Sequence, residues 1–183
     1  MGRKGKSMFT QEELELMNTQ KYTTPSAVYM TWAAISSTLP ALLFSTVMVM
    51  NPVDNIIVFV AFAAVAAAAL FFAYQNTSRK IRDGLAAKHS EEVRAMVTEN
   101  YKSMDKKQKE GVHLDSLVVE KQSELSEKES CFLSLSYNNA LFAFLLVVFS
   151  FYVFRSLSGQ WNYGLSVTST SILVALFSTG SKA

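Results

Sequence analysis

Long apolar runs alternate with a single charged block along this chain, and the alternation sets its architecture. Residues 28–50 carry no charge over 23 positions, enough at about 1.5 Å per residue to cross roughly 30 Å of hydrocarbon. After a turn at 51–52, residues 53–74 form a second run whose one charge, Asp54, sits at the edge where it reaches the interface. Residues 75–130 change character, holding 11 Lys+Arg and 11 Asp+Glu. Residues 131–154 are uncharged again, and beyond "RSLSGQ" at 155–160 a fourth uncharged run covers 161–178. The pattern predicts an all-α integral membrane protein of four transmembrane helices, with an N-tail at 1–27 and a C-tail at 179–183. Pro40 falls inside the first span and predicts a kink there.

Within the charged block, Ile81, Leu85, Val93, Met96, Val97, Tyr101 and Met104 recur at three- and four-residue steps. Gly111 interrupts this periodicity, and Leu114, Leu117, Val118, Leu125 and Phe132 resume it. An antiparallel helical hairpin between the second and third spans is expected. In the N-tail, "FTQEEL" reads as a helix start, with Thr10 as N-cap and Glu13 at the third helical position.

Composition supports segregation of apolar and polar parts. Half of the 183 residues are hydrophobic, and four such runs leave too little polar surface to cover them in a soluble fold. Trp32, Tyr74, Trp161 and Tyr163 lie near predicted span ends and fit an aromatic belt. With four spans, the N-tail, the block and the C-tail share one side. Of the 17 Lys+Arg, 16 lie on that side and only Arg155 on the other. The positive-inside rule places both termini and the hairpin in the cytosol.

Candidate chemistry is sparse. No span carries a charge in its interior, which removes the usual signature of proton relays and ion pathways. Cys131 is the one cysteine, His89 and His113 have no partner at metal-ligand spacing, and no catalytic motif, metal site or cofactor site is expected. At the hairpin tip, "YKSMDKKQKEG" gathers Lys102, Lys106, Lys107 and Lys109, a cluster suited to phosphate-backbone contact or simply to a solvated turn. Asn138 and Asn139 enter the third span side by side. In lipid an unpaired amide costs several kcal/mol, so each needs a partner in a neighbouring helix, a backbone carbonyl or headgroup water. Ser and Thr in the first and fourth spans suit close helix contact. They also leave room for a small four-span transporter or channel as the alternative; for an enzyme, no residues can be nominated.

"FAYQN" at 72–76, "LSYNNALF" at 135–142, "NYGLSVTSTSILVALFSTGSK" at 162–182 and the "EEL" of the N-tail resemble the gamma-subunit family of the translocon-associated protein complex, also called signal sequence receptor gamma. The resemblance covers nearly the whole chain in layout and is weakest in the central block, where this chain is neutral and holds extra residues between Gly111 and Cys131. It implies a multi-pass protein of the endoplasmic reticulum membrane with lumenal turns at 51–52 and 155–160. It also implies a complex with alpha, beta and delta subunits beside the Sec61 channel. The family's hairpin is expected to touch ribosomal RNA and large-subunit protein near the tunnel exit, a contact that falls here on Lys106, Lys107 and Lys109, with Lys102 adjoining.

Overall fold

A computed structural model of the chain describes residues 26–88, 90–103 and 114–180, which are helical apart from short turns. The helices are α1 (Ser26–Val47), α2 (Ile56–Lys88), α3 (Ser90–Ser103), α4 (Leu114–Val148) and α5 (Gly159–Thr179). A five-residue π-helical turn, Phe149–Val153, continues α4. The expected N-tail helix from Thr10, and Lys106, Lys107 and Lys109 at the tip, lie outside the described residues.

Among the described residues, three stretches are long and apolar enough to cross a membrane: Ser26–Val47, Ile56–Arg82 and Leu117–Val153. The expected fourth span is the 21-residue helix α5, but Asn162 and its many Ser and Thr residues make it too polar to join them. α1 passes through Pro40 as one helix. Proline has no N–H to offer the Ser36 carbonyl, so the helix forgoes one bond at that level. Residues 53–55 belong to a turn and not to α2. There the Asn51 side chain accepts the Val53 amide at 3.1 Å and donates to Asp54 at 2.7 Å, an Asx-type turn that delays the helix.

The chain forms two compact units, one holding residues 80–130 and the other residues 25–79 and 131–183. In the second unit the helices bury four-residue rows. On α5 these are Asn162, Ser166, Thr170, Val174 and Ser178, and on α4 they are Ser134, Asn138, Phe142 and Leu146, a row that Ser150 of the π-turn continues. Rows of this spacing form the ridges that interlock in the commonest class of helix packing. The apolar core of this unit includes Tyr29, Ala33, Phe44, Leu70, Tyr74, Tyr163 and Val167. Tyr163 and Tyr74 are fully buried, against their expected place in an aromatic belt, whereas Trp161 and Trp32 are exposed. Nearness to a span end does not say which face of the helix a residue occupies, and these tyrosines stand on the inner face.

In the unit holding residues 80–130, Val93 and Val97 of α3 pack with Val118 of α4, joined by Leu114, Leu117 and Leu125. Met96, expected in this seam, is 58% exposed, and Phe132 is 70% exposed. Two helices share only a narrow line of contact, and Met96 lies off the Val93–Val97 row.

Candidate functional site

The clearest built feature is a polar clasp joining α1, α2 and α4. Small side chains at Ser36, Ser134, Ala33 and Ala73 let the helices approach closely enough for side-chain hydrogen bonds to cross between them. Asn139 is the hub. Its Oδ1 accepts from Ser36 Oγ of α1 at 2.8 Å and from the Tyr74 hydroxyl of α2. The Tyr74 hydroxyl also stands 3.3 Å from Ser36 Oγ, closing a three-membered ring of polar groups.

Asn138 works differently from its neighbour. Its Nδ2 donates back to the Ser134 carbonyl one turn earlier, at 2.8 Å, and its Oδ1 meets Thr77 Oγ1 of α2 at the outer limit of 3.5 Å. Ser134 Oγ in turn donates to the Tyr74 backbone carbonyl at 2.7 Å. One turn along, the Tyr29 hydroxyl donates to Ser78 Oγ at 2.7 Å, tying α1 to α2. Asn138, Ser134, Tyr74 and Tyr29 are all buried.

A second cluster sits at the opposite end of the same helices, built around "NYG" at 162–164. The π-turn carries the Phe154 amide to the Phe149 carbonyl and disturbs the regular bonding pattern, and Asn162 Nδ2 of α5 donates to the Ser150 carbonyl at 3.0 Å. Ser166 Oγ donates to Asn162 Oδ1 at 2.9 Å. Tyr163 packs edge-on against Phe44, Phe59 and Phe62, with centroid distances of 5.2, 4.7 and 6.2 Å, and its hydroxyl donates to the Phe59 carbonyl. At Gly164 an added Cβ would lie 2.6 Å from the Phe62 ring, so this approach of α5 to α2 has no room for a larger residue. Gln160 Nε2 reaches Asn55 Oδ1 at 2.6 Å, linking the start of α5 to the turn before α2. The sequence alone suggests an aromatic belt for Tyr163 and names no role for Asn162 or Gly164. The signal available was the adjacency of an amide, an aromatic and a glycine at the start of a polar helix.

Of the four tip lysines, Lys102 lies on α3 and the other three fall outside the described residues. On the exposed face of α4, Glu124 is bracketed by Lys121 and Lys128 at 2.7 and 2.8 Å. Hydrogen bonds from these two ammonium groups hold its carboxyl well down, at about 2.

Comparison with known proteins identifies a family. Residues 11–180 match the family described as translocon-associated protein, gamma subunit. A relative from Dictyostelium discoideum, the translocon-associated protein subunit gamma, is 30% identical over 155 residues, covering 85% of this chain and 86% of that protein. With the match running from α1 through α5, the chain belongs to the translocon-associated protein gamma-subunit family.

Proposed function

We propose that the protein is a non-enzymatic accessory subunit of the translocon-associated protein complex in the endoplasmic reticulum membrane. It assists co-translational translocation beside the Sec61 channel and tethers its complex to the ribosome. The observation that carries the first part is the family match over residues 11–180. α1, α2, α4 and α5 cross the bilayer in turn, with both termini and the 75–130 hairpin cytosolic, as the bias of Lys+Arg indicates. Asn138 and Asn139 fix the third span near the cytosolic face, where they hold the bundle that the alpha, beta and delta subunits assemble around.

The tether is electrostatic. Lys102, Lys106, Lys107 and Lys109 each make a weak, salt-sensitive contact with ribosomal RNA phosphate or an acidic protein surface near the tunnel exit. The contacts add up because the membrane and the channel already confine the partner. The test is ribosome co-sedimentation of solubilised complexes with all four lysines changed to Glu. At about 0.15 M salt the variant complex is expected to stay in the supernatant while the wild type pellets. Salt-independent pelleting of the variant would contradict the tethering role.

A further inference from the structure

We infer that α5 is a conditional span, driven into the membrane by packing against α1, α2 and α4 and not by its own hydrophobicity. The inference rests on the four-span reading above. Three observations carry it. First, α5 is absent from the set of helices apolar enough to cross a membrane, although at 21 residues it has the length. Its shortfall comes from polarity, because it contains no charge.

Second, that polarity is turned inward. Asn162, Ser166, Thr170, Ser171 and Ser178 are all buried, while Leu165, Ile172, Leu176 and Phe177 are exposed. An isolated α5 would present the polar row to lipid, where each unsatisfied group is costly. In the bundle, Asn162 instead bonds the Ser150 carbonyl of the π-turn, whereas Ser166, Ser171 and Ser178 bond within α5 itself. Third, the contacts that hold α5 come from other helices at identifiable points. Tyr163 fits among Phe44 of α1 and Phe59 and Phe62 of α2, and its hydroxyl reaches the Phe59 carbonyl. Gly164 admits the Phe62 ring.

The C-terminus therefore reports whether the bundle has closed. If α5 packs, residues beyond Gly180 end in the cytosol; if it does not, they remain on the lumenal side with α5 lying outside the membrane. The test keeps the full chain, and its first comparison leaves the α5 sequence intact. A tag with an N-glycosylation acceptor is appended after Ala183, and a second acceptor is placed in the 155–158 turn to report that α4 has crossed. The chain is translated into microsomes as wild type and as Phe44→Ala with Phe59→Ala. Wild type is expected to carry glycan in the turn and none on the tag. In the double variant the turn stays modified and about half or more of the tags gain glycan, since packing no longer offsets the polar row. Adding Thr168→Val, Thr170→Val and Ser171→Ala to that double variant, which makes α5 apolar enough to enter unaided, is expected to return the tag to its unmodified state.

An unmodified tag in the double variant, with the turn glycosylated, overturns the conditional span. Persistent tag glycosylation after the three apolar substitutions overturns it as well. A glycosylated tag in the wild type contradicts the four-span topology itself, which separates the two failures.

Discussion

Two regions of this molecule differ in how they join helix to helix. In the unit of residues 80–130, α3 and α4 meet through Val93, Val97, Val118 and the leucines around them. In the other unit the same α4 meets α1 and α2 through Ser134, Asn138 and Asn139, with Tyr74, Ser36 and Thr77 opposite. The difference follows from the solvent proposed for each. In water, removing apolar area is worth about 25 cal/mol per Å², so valine and leucine suffice. Lipid is as apolar as leucine, and helices there gain from close approach and interhelical hydrogen bonds instead. The polar row on α4 begins at Gln122 and Ser126, within the first unit, so the change between the two regimes is graded along one helix.

The comparison can be broken most severely on its apolar side. Val97→Asp places a carboxylate in the valine seam and is expected to cost more than about 3 kcal/mol, seen as rapid proteolysis within residues 90–125 while the bundle stays protected. Asn138→Leu with Asn139→Leu makes the span more apolar, yet it is expected to destabilise the purified chain by about 1–3 kcal/mol. The double change leaves the Ser36, Tyr74 and Thr77 hydroxyls without their acceptors. Unchanged thermal unfolding of that double variant would show the clasp to be idle.

A smaller effect of opposite sign is expected at Val49, a β-branched residue held at a φ of 53° in the turn after α1. Its side chain is 84% exposed, so packing gives little in return. Val49→Gly should raise stability by about 1 kcal/mol, read as a higher melting temperature.

The smallest effect belongs to the exposed ion pairs around Glu124. Its carboxyl is held at about 2 in the folded chain against an ordinary 4.5. The sign is that of a depressed acid: its contribution is complete above the ordinary value and is lost as pH falls from there toward about 2. Melting temperatures of wild type and Glu124→Gln should therefore differ by the same small amount at about pH 7 and pH 5, and converge only below the ordinary carboxylate value.

Much of the fold was legible in the sequence because the signals are local. Uncharged runs of the right length marked α1, α2 and α4, and the three- and four-residue steps of Val93, Val97, Leu114, Val118 and Leu125 marked the helix pair. The clasp was half legible. Two amides at a membrane entry must be satisfied, but Asn139's partners Ser36 and Tyr74 stand 103 and 65 residues away, and no local pattern names them. Tyr163 misled for a related reason: its place near a span end suggests an interface, and only the packing of Phe44 and Phe59 shows that it faces inward. The π-turn also had no signature of its own, being stabilised by an asparagine on the next helix.

The most direct measurement of whether polar bonds hold the membrane bundle is a double-mutant cycle between Tyr74→Phe and Asn139→Leu, on the unfolding free energy of the full chain in bicelles. A coupling of about 0.6–1.7 kcal/mol is the expected result, the range of interhelical hydrogen bonds in a membrane. Additivity within about 0.3 kcal/mol would contradict the clasp and leave the helices held by apolar packing alone.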